Sequence, residues 1–184
     1  MNAAELFVKC LENEGVKTIF GVPGEENAEF MMALEKSSIE FVLVRHEQGA
    51  AFMADVHGRL TGEAGVCLGT LGPGATNLVT GVADGNMDRA PMVVLTAQAA
   101  TYRQHKESHQ AMDVVSMFKP MTKWGTTVAH PDNIPEIVRK AFKVATQEKP
   151  GACHIELPED IAKLPASKHP IRGEIGRASC RERV

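Results

Sequence analysis

Val44-Arg45-His46-Glu47-Gln48-Gly49-Ala50-Ala51-Phe52-Met53-Ala54 marks the point where an apolar run, Ile39 to Val44, gives way to a helical pattern. On a helix, positions 47, 50, 51, 54 and 58 share one face, and here they read Glu, Ala, Ala, Ala, Gly. A face that small admits another backbone or a flat ring at close range. A carboxylate held beside it is partly desolvated, which suits it to share a proton. The plainer reading of Glu47 is a solvated carboxylate in a first helical turn, favoured there by the helix dipole. Working outward, the same strand-then-helix alternation recurs. Short apolar runs occur at Thr18–Phe20, Phe41–Val44, Val66–Leu68, Met92–Leu95, Thr126–Val128 and Cys153–Leu157. Helical patterns separate several of them: Asn27–Lys36, Gln48–Thr61, Ala75–Asp88 and Pro135–Gln147. In Ala75–Asp88 the inward stripe reads Ala75, Leu78, Val79, Val82 and Ala83. A first helix starts at Asn2, with Glu5 as the reciprocal capping partner and Gly15 as its stop. Continuous apolar strands between helices give an α/β fold, a doubly wound, mostly parallel sheet with helices on both faces.

The natural chain fits one domain of ordinary size, at 43% hydrophobic residues. Its boundaries are read as 1–165 for the domain and 166–174 for the start of a polar, basic linker. The last ten residues, Ile175 to Val184, back-translate codon by codon into a widely used short-read sequencing adapter. They are set aside as an adapter-derived tail, expected to be dispensable. The natural C-terminus is then missing, and the chain is expected to be a fragment of a longer protein. Without the tail the net charge moves from −3 to −5, which argues against a nucleic-acid surface. Cys10, Cys67 and Cys153 are widely spaced with no CxxC pair, which reads as reduced core thiols in a cytoplasmic protein. There is no signal-peptide pattern and no apolar run of membrane-spanning length.

Between the third strand run and its helix lies Thr70-Leu71-Gly72-Pro73-Gly74-Ala75-Thr76-Asn77. With Phe20-Gly21-Val22-Pro23-Gly24, Arg45-His46-Glu47-Gln48, Gly58-Arg59-Leu60-Thr61-Gly62, Gly65-Val66-Cys67-Leu68 and Asp88-Arg89-Ala90-Pro91, it forms an ordered set. The set, from about Ala3 to Ile161, resembles the pyrimidine-binding domain of thiamine-diphosphate enzymes, specifically the acetolactate synthase group. The resemblance implies the thiamine-diphosphate-binding fold. It also implies decarboxylation of pyruvate and carboligation to a second 2-oxoacid, as in branched-chain amino acid biosynthesis. Glu47 then shares a proton with the cofactor's pyrimidine, while Pro23, Gly24, Thr70, Gly72, Pro73, Gly74 and Asn77 line the cofactor. These segments follow the first three strand runs, so all should lie on the carboxyl rim of the sheet, where such folds bind ligands. Where the family usually has Thr-Ser-Gly-Pro-Gly, this chain has Leu71 in place of the hydroxyl.

Magnesium and diphosphate ligands are expected in the missing C-terminal part, and no metal site is assigned to this chain. The family also implies a homo-oligomer, dimer or tetramer, with the active site at a subunit interface, and a possible regulatory subunit. The small Ala face beside Glu47 would suit packing against that partner. His109-Gln110 falls where the family often has Phe-Gln, making Gln110 a candidate substrate-side donor. His105 and His109, four apart, would form a metal pair only on a helix. Lys119 stands where FAD-binding members place an Arg, and Lys lacks the planar fork that grips a diphosphate. That weakens the case for FAD and leaves the FAD-free catabolic type open. Methionines 31, 32, 112, 117 and 121 are read as core filler. Other readings are a related 2-oxoacid decarboxylase or acetyltransferase, a non-catalytic dimerisation module, and a dinucleotide-binding oxidoreductase. The last is disfavoured because neither Gly-rich element fits GxGxxG.

Overall fold

The computed structural model describes residues 1–171. The expected tail at 175–184 and the end of the linker lie outside the described residues. The first helix, α1 (Ala3–Asn13), opens on a reciprocal cap. The Glu5 N–H donates to Asn2 Oδ1 at 2.8 Å, and the Asn2 N–H donates to Glu5 Oε2 at 3.1 Å. Gly15 follows with φ +86°, a left-handed stop that glycine takes without a Cβ penalty.

Six strands form one sheet: β1 (Thr18–Gly21), β2 (Glu40–Leu43), β3 (Gly65–Gly69), β4 (Met92–Gln98), β5 (Trp124–Thr127) and β6 (Ala152–Pro158). Their order is β2-β1-β3-β4-β6-β5, and every neighbouring pair is parallel. The remaining helices are α2 (Ala28–Glu35), α3 (Glu47–Thr61), α4 (Pro73–Asn77), α5 (Val79–Met87), α6 (Val114–Phe118), α7 (Ile134–Thr146) and α8 (Glu159–Lys163). Side chains alternate across the sheet. Ile19, Val66, Leu68, Val93, Leu95 and Ile155 face α1, α2, α7 and α8. Cys67, Met92, Val94 and Ala152 face α3, α5 and α6. Each fully buried Leu, Ile, Phe or Met contributes about 1.5–3 kcal/mol, so both layers are needed to hold strands apolar on two faces.

Several expectations are corrected. The helix expected over Ala75–Asp88 starts at Pro73 and is interrupted at Leu78, whose N–H reaches Ala75 O at 3.2 Å in a tightened i−3 turn. Val79 and Ala83 are only half-buried; Gly81 and Gly85 complete the inward face of α5 instead. Methionine 32 and Met112 are exposed, so they are not core filler, whereas Met117 and Met121 pack partly against the α3–α6 layer. The cysteines do fill the core. Burial pushes the Cys10 and Cys67 thiols up to about 12 and that of Cys153 to about 11.

Candidate functional site

The chain passes from β1 outward to β2, then returns across β1 to β3. The order therefore reverses between β1 and β3, and such a reversal opens a crevice at the carboxyl ends of the strands. Three segments meet there: Pro23-Gly24 after β1, Glu47 after β2, and the Thr70–Asn77 turn after β3.

Glu47 is the first residue of α3, set there because His46 caps the helix, its Nδ1 accepting from the Gln48 N–H at 3.1 Å. The side chain is buried, at 8% exposure. Its Oε2 accepts from Asn77 Nδ2 at 2.9 Å. Oε1 receives no hydrogen bond among the described residues and lies 3.2 Å from where a Cβ on Gly74 would stand. One oxygen is thus fixed by the chain, and the other is left to accept or share a proton.

Around this carboxylate the backbone is crowded by Thr70. A Cβ on Gly24 would come within 2.6 Å of Thr70 Oγ1, and one on Gly74 within 2.7 Å of Thr70 Cγ2. The glycines of the turn are therefore demanded by the chain's own packing. Gly72 has φ +53°, and a Cβ there would meet the carbonyl oxygen of Gln110 at 2.6 Å. Leu71 is fully buried, so the apolar replacement joins the core and makes no polar contact. Pro23 and Pro73 are exposed at the mouth. Glu47, Gly24, Thr70, Gly72, Gly74, Asn77 and Gln110 are accordingly brought into one neighbourhood.

Sequence reasoning missed Glu26, whose Oε2 accepts from Thr70 Oγ1 at 3.0 Å. It also missed Asn27, buried, with Oδ1 accepting from the Gly24 N–H at 2.8 Å. The Glu-Glu-Asn run after Gly24 was the available signal. The small face beside Glu47 does admit backbone at close range, as expected, but the backbone is the chain's own and not a partner's. Ala50, Ala51 and Ala54 are fully buried within the chain. A Cβ on Gly81 of α5 would meet Ala51 Cβ at 2.6 Å, and one on Gly65 of β3 would meet Ala54 O at 2.0 Å. The face seats α3 on its own sheet and on α5, leaving no room there for a partner. Arg59, quoted above as part of a motif, gathers carboxylates: its guanidinium donates to Asp55 at 2.7 and 2.8 Å, to Asp84 at 3.0 Å and to Asp88 at 2.6 Å.

The segment carrying His105 and His109 is loop with no helix, so the four-residue spacing does not bring them onto one face. His105 and Gln110 both have positive φ, at 60° and 57°. Lys119 is exposed at the start of a 3-10 turn, Lys119–Met121. Beyond the switch point, the layer between β4, β6 and α6 turns polar towards the rim. His154 Nε2 pairs with Thr96 Oγ1 at 2.8 Å, its ring 4.6 Å from that of Phe118. Burial drops the His154 pKa to about 3. Next along, Glu156 accepts from Gln98 Nε2 at 2.9 Å and Thr127 Oγ1 at 2.7 Å. Burial pushes its carboxyl above the usual range, opposed by those two hydrogen bonds. Among the described residues no helix is long and apolar enough to cross a membrane.

Residues 1–117 match the family described as thiamine pyrophosphate enzyme, N-terminal TPP binding domain. The chain is 44% identical over 177 residues to a probable acetolactate synthase large subunit of Methanocaldococcus jannaschii, covering 95% of this chain and 30% of that protein. It is 44% identical over 166 residues to the catabolic acetolactate synthase of Raoultella terrigena, covering 90% and 30%. With acetolactate synthase isozyme 3 large subunit of Escherichia coli, identity is 43% over 171 residues, covering 92% and 30%. The chain thus spans about 30% of the length of these relatives. A carboxylate at a topological switch, a Gly-Pro-Gly turn beside it and the match over residues 1–117 agree: the chain belongs to the thiamine pyrophosphate enzymes, whose N-terminal cofactor-binding domain it carries.

Proposed function

We propose that this domain serves an acetolactate synthase-like enzyme, which decarboxylates pyruvate and ligates the two-carbon unit to a second 2-oxoacid. The observation that carries the reading is the Glu47 carboxylate, buried at the head of α3, held on one oxygen by Asn77 and open on the other. Thiamine diphosphate, when bound, supplies the electron sink for decarboxylation and a pyrimidine that needs an acid–base partner. Glu47 is that partner: it shares a proton through the free Oε1, while Asn77 fixes its rotamer. Pro23, Gly24, Thr70, Gly72, Pro73 and Gly74 form the walls, and Thr70 is itself oriented by Glu26. A carboxylate oxygen without another partner among the described residues, set beside small residues, is the proton-sharing group such a ring asks for. Gln110, seated against Gly72, is the substrate-side donor. The His109 that precedes it, in place of the family's Phe, keeps a related 2-oxoacid decarboxylase or acetyltransferase as the second reading.

The domain as proposed spans 1–165, with a linker from 166. We assign magnesium and diphosphate ligands to a further domain, the working enzyme to a homo-oligomer whose site forms between subunits, and regulation to a possible second subunit. Lys119, without a planar fork, supports an FAD-free enzyme. Three buried, free cysteines support a reducing, cytoplasmic setting. The test is Glu47→Gln in a polypeptide of the relatives' full length carrying this domain. Glutamine keeps size and hydrogen bonding but cannot exchange an ionisable proton. Turnover of pyruvate should fall about a hundred- to ten-thousandfold with an unchanged circular dichroism spectrum. Near wild-type turnover would reduce Glu47 to a helix-terminal charge.

A further inference from the structure

Gln98, the last residue of β4, is buried at 4% exposure, as is Glu156 on β6. Its amide is committed on every side. Oε1 accepts from the Ala99 N–H at 2.9 Å, and Nε2 donates to Glu156 Oε1 and to the carbonyl of Met112, both at 2.9 Å. Because the Ala99 N–H demands an oxygen, the amide cannot flip, and its nitrogen must face the loop. Glu156 is held in turn by Thr127 of β5. A buried amide–carboxylate pair costs desolvation that two apolar residues would not, and no step of the reaction above uses it. What it grips is informative: Met112 lies two residues after Gln110, in a stretch of the loop that has neither helix nor strand. The loop's first half is tied separately, by Thr101 to Asp160 and by Gln104 Nε2 to Ala99 O at 3.2 Å.

We propose that the Gln98–Glu156 pair is a positioning clamp that holds the second half of this loop so that Gln110 stays against the Gly72 turn. Gln98 contacts Met112 and reaches the reaction only through the loop, and its consequence for substrate rests on the function proposed above. The clamp explains why a left-handed residue, Gln110, and a left-handed glycine, Gly72, can pack this closely: the loop is fixed from the far end.

Hydrogen exchange on the present chain tests it. In Gln98→Leu, residues 105–112 should exchange roughly fivefold or more faster, the factor carried by a hydrogen bond of ordinary net strength, with β1 and β3 unchanged. Glu156→Gln keeps an acceptor for Gln98 and should leave the loop protected. The double swap Gln98→Glu with Glu156→Gln preserves volume and one amide–carboxylate bond but denies Met112 its donor. It should loosen the loop while the sheet keeps its protection. Unchanged exchange at 105–112 in both Gln98→Leu and the swap overturns the clamp, as does a uniform loss of protection over the sheet in the swap. In the full-length enzyme, Gln98→Leu should raise KM for pyruvate and leave that for thiamine diphosphate unaltered. A loosened loop with an unaltered pyruvate KM leaves the clamp standing and overturns the role given to Gln110.

Discussion

His154 and Glu156 lie two residues apart on β6 and face the same layer, yet acid acts on them in opposite directions. His154 titrates near its ordinary 6.5 when unfolded and near 3 when buried. Between those values the unfolded chain binds more protons, so this residue's contribution to stability falls as pH drops from about 6.5. The slope is at most about 1.4 kcal/mol per pH unit. Glu156, raised by burial, binds its proton more readily when folded and offsets part of that loss. His154→Gln retains a partner for Thr96 and removes the titration. We expect melting midpoints of the variant to be flatter than wild type between pH 6.5 and 5; parallel curves would show that His154 takes up its proton while folded. These residues also mark the limit of sequence reading. Glu47 and the Gly72–Asn77 turn were legible because local order places them at strand ends. The bonds of Thr70 to Glu26, and of Gln98 to Glu156, join positions 44 and 58 residues apart. No periodicity announces such pairs.

At the scale of elements, α3 shows why one glycine cannot stand for another. Gly65 opens β3 beneath α3, and a Cβ there would lie 2.0 Å from Ala54 O. Gly65→Ala must push helix from strand and should cost about 1–3 kcal/mol, as overpacked cores do. Gly49, inside α3, would place its Cβ with nothing within 4 Å. Gly49→Ala should raise stability by roughly 0.5–1 kcal/mol, because alanine loses less backbone freedom on folding. Denaturant midpoints of the two variants should therefore move in opposite directions. A shared direction would mean that α3 does not sit on β3 as described. The alanine stripe was visible in the sequence, but not its use. A run of small residues says that something comes close, and only the register of β3 and α5 shows what. The break at Leu78 was hidden for the same reason: the apolar pattern runs straight across a turn tightened by one residue.

For the whole molecule, the sheet order and the location of the proposed site suggest what the chain can and cannot do alone. The switch point provides the buried Glu47 carboxylate and the glycine turn proposed to wall the cofactor's pyrimidine. Among the described residues no group of three or more metal-ligating side chains is gathered. We expect the purified chain, given pyruvate, thiamine diphosphate and magnesium, to form no acetolactate above blank; product formation would relocate the diphosphate site into this domain. The fold class was legible from alternating runs, whereas the strand order was not, since apolar runs of equal character do not say which neighbours which.

That order has a consequence for how the molecule is made. The strand seated between β4 and β5 is β6, which follows both in chain order. Until residue 158 has left the ribosome, two neighbouring edges stay open, and β4, buried along its whole length in the finished domain, waits without its second neighbour. Exposed apolar edges recruit other chains. A nascent chain paused before Ala152 should be the form that chaperones hold and that aggregates if released. Once Ala152–Pro158 slides into the gap, both edges close in a single event, so birth of this domain is abrupt and governed by β6.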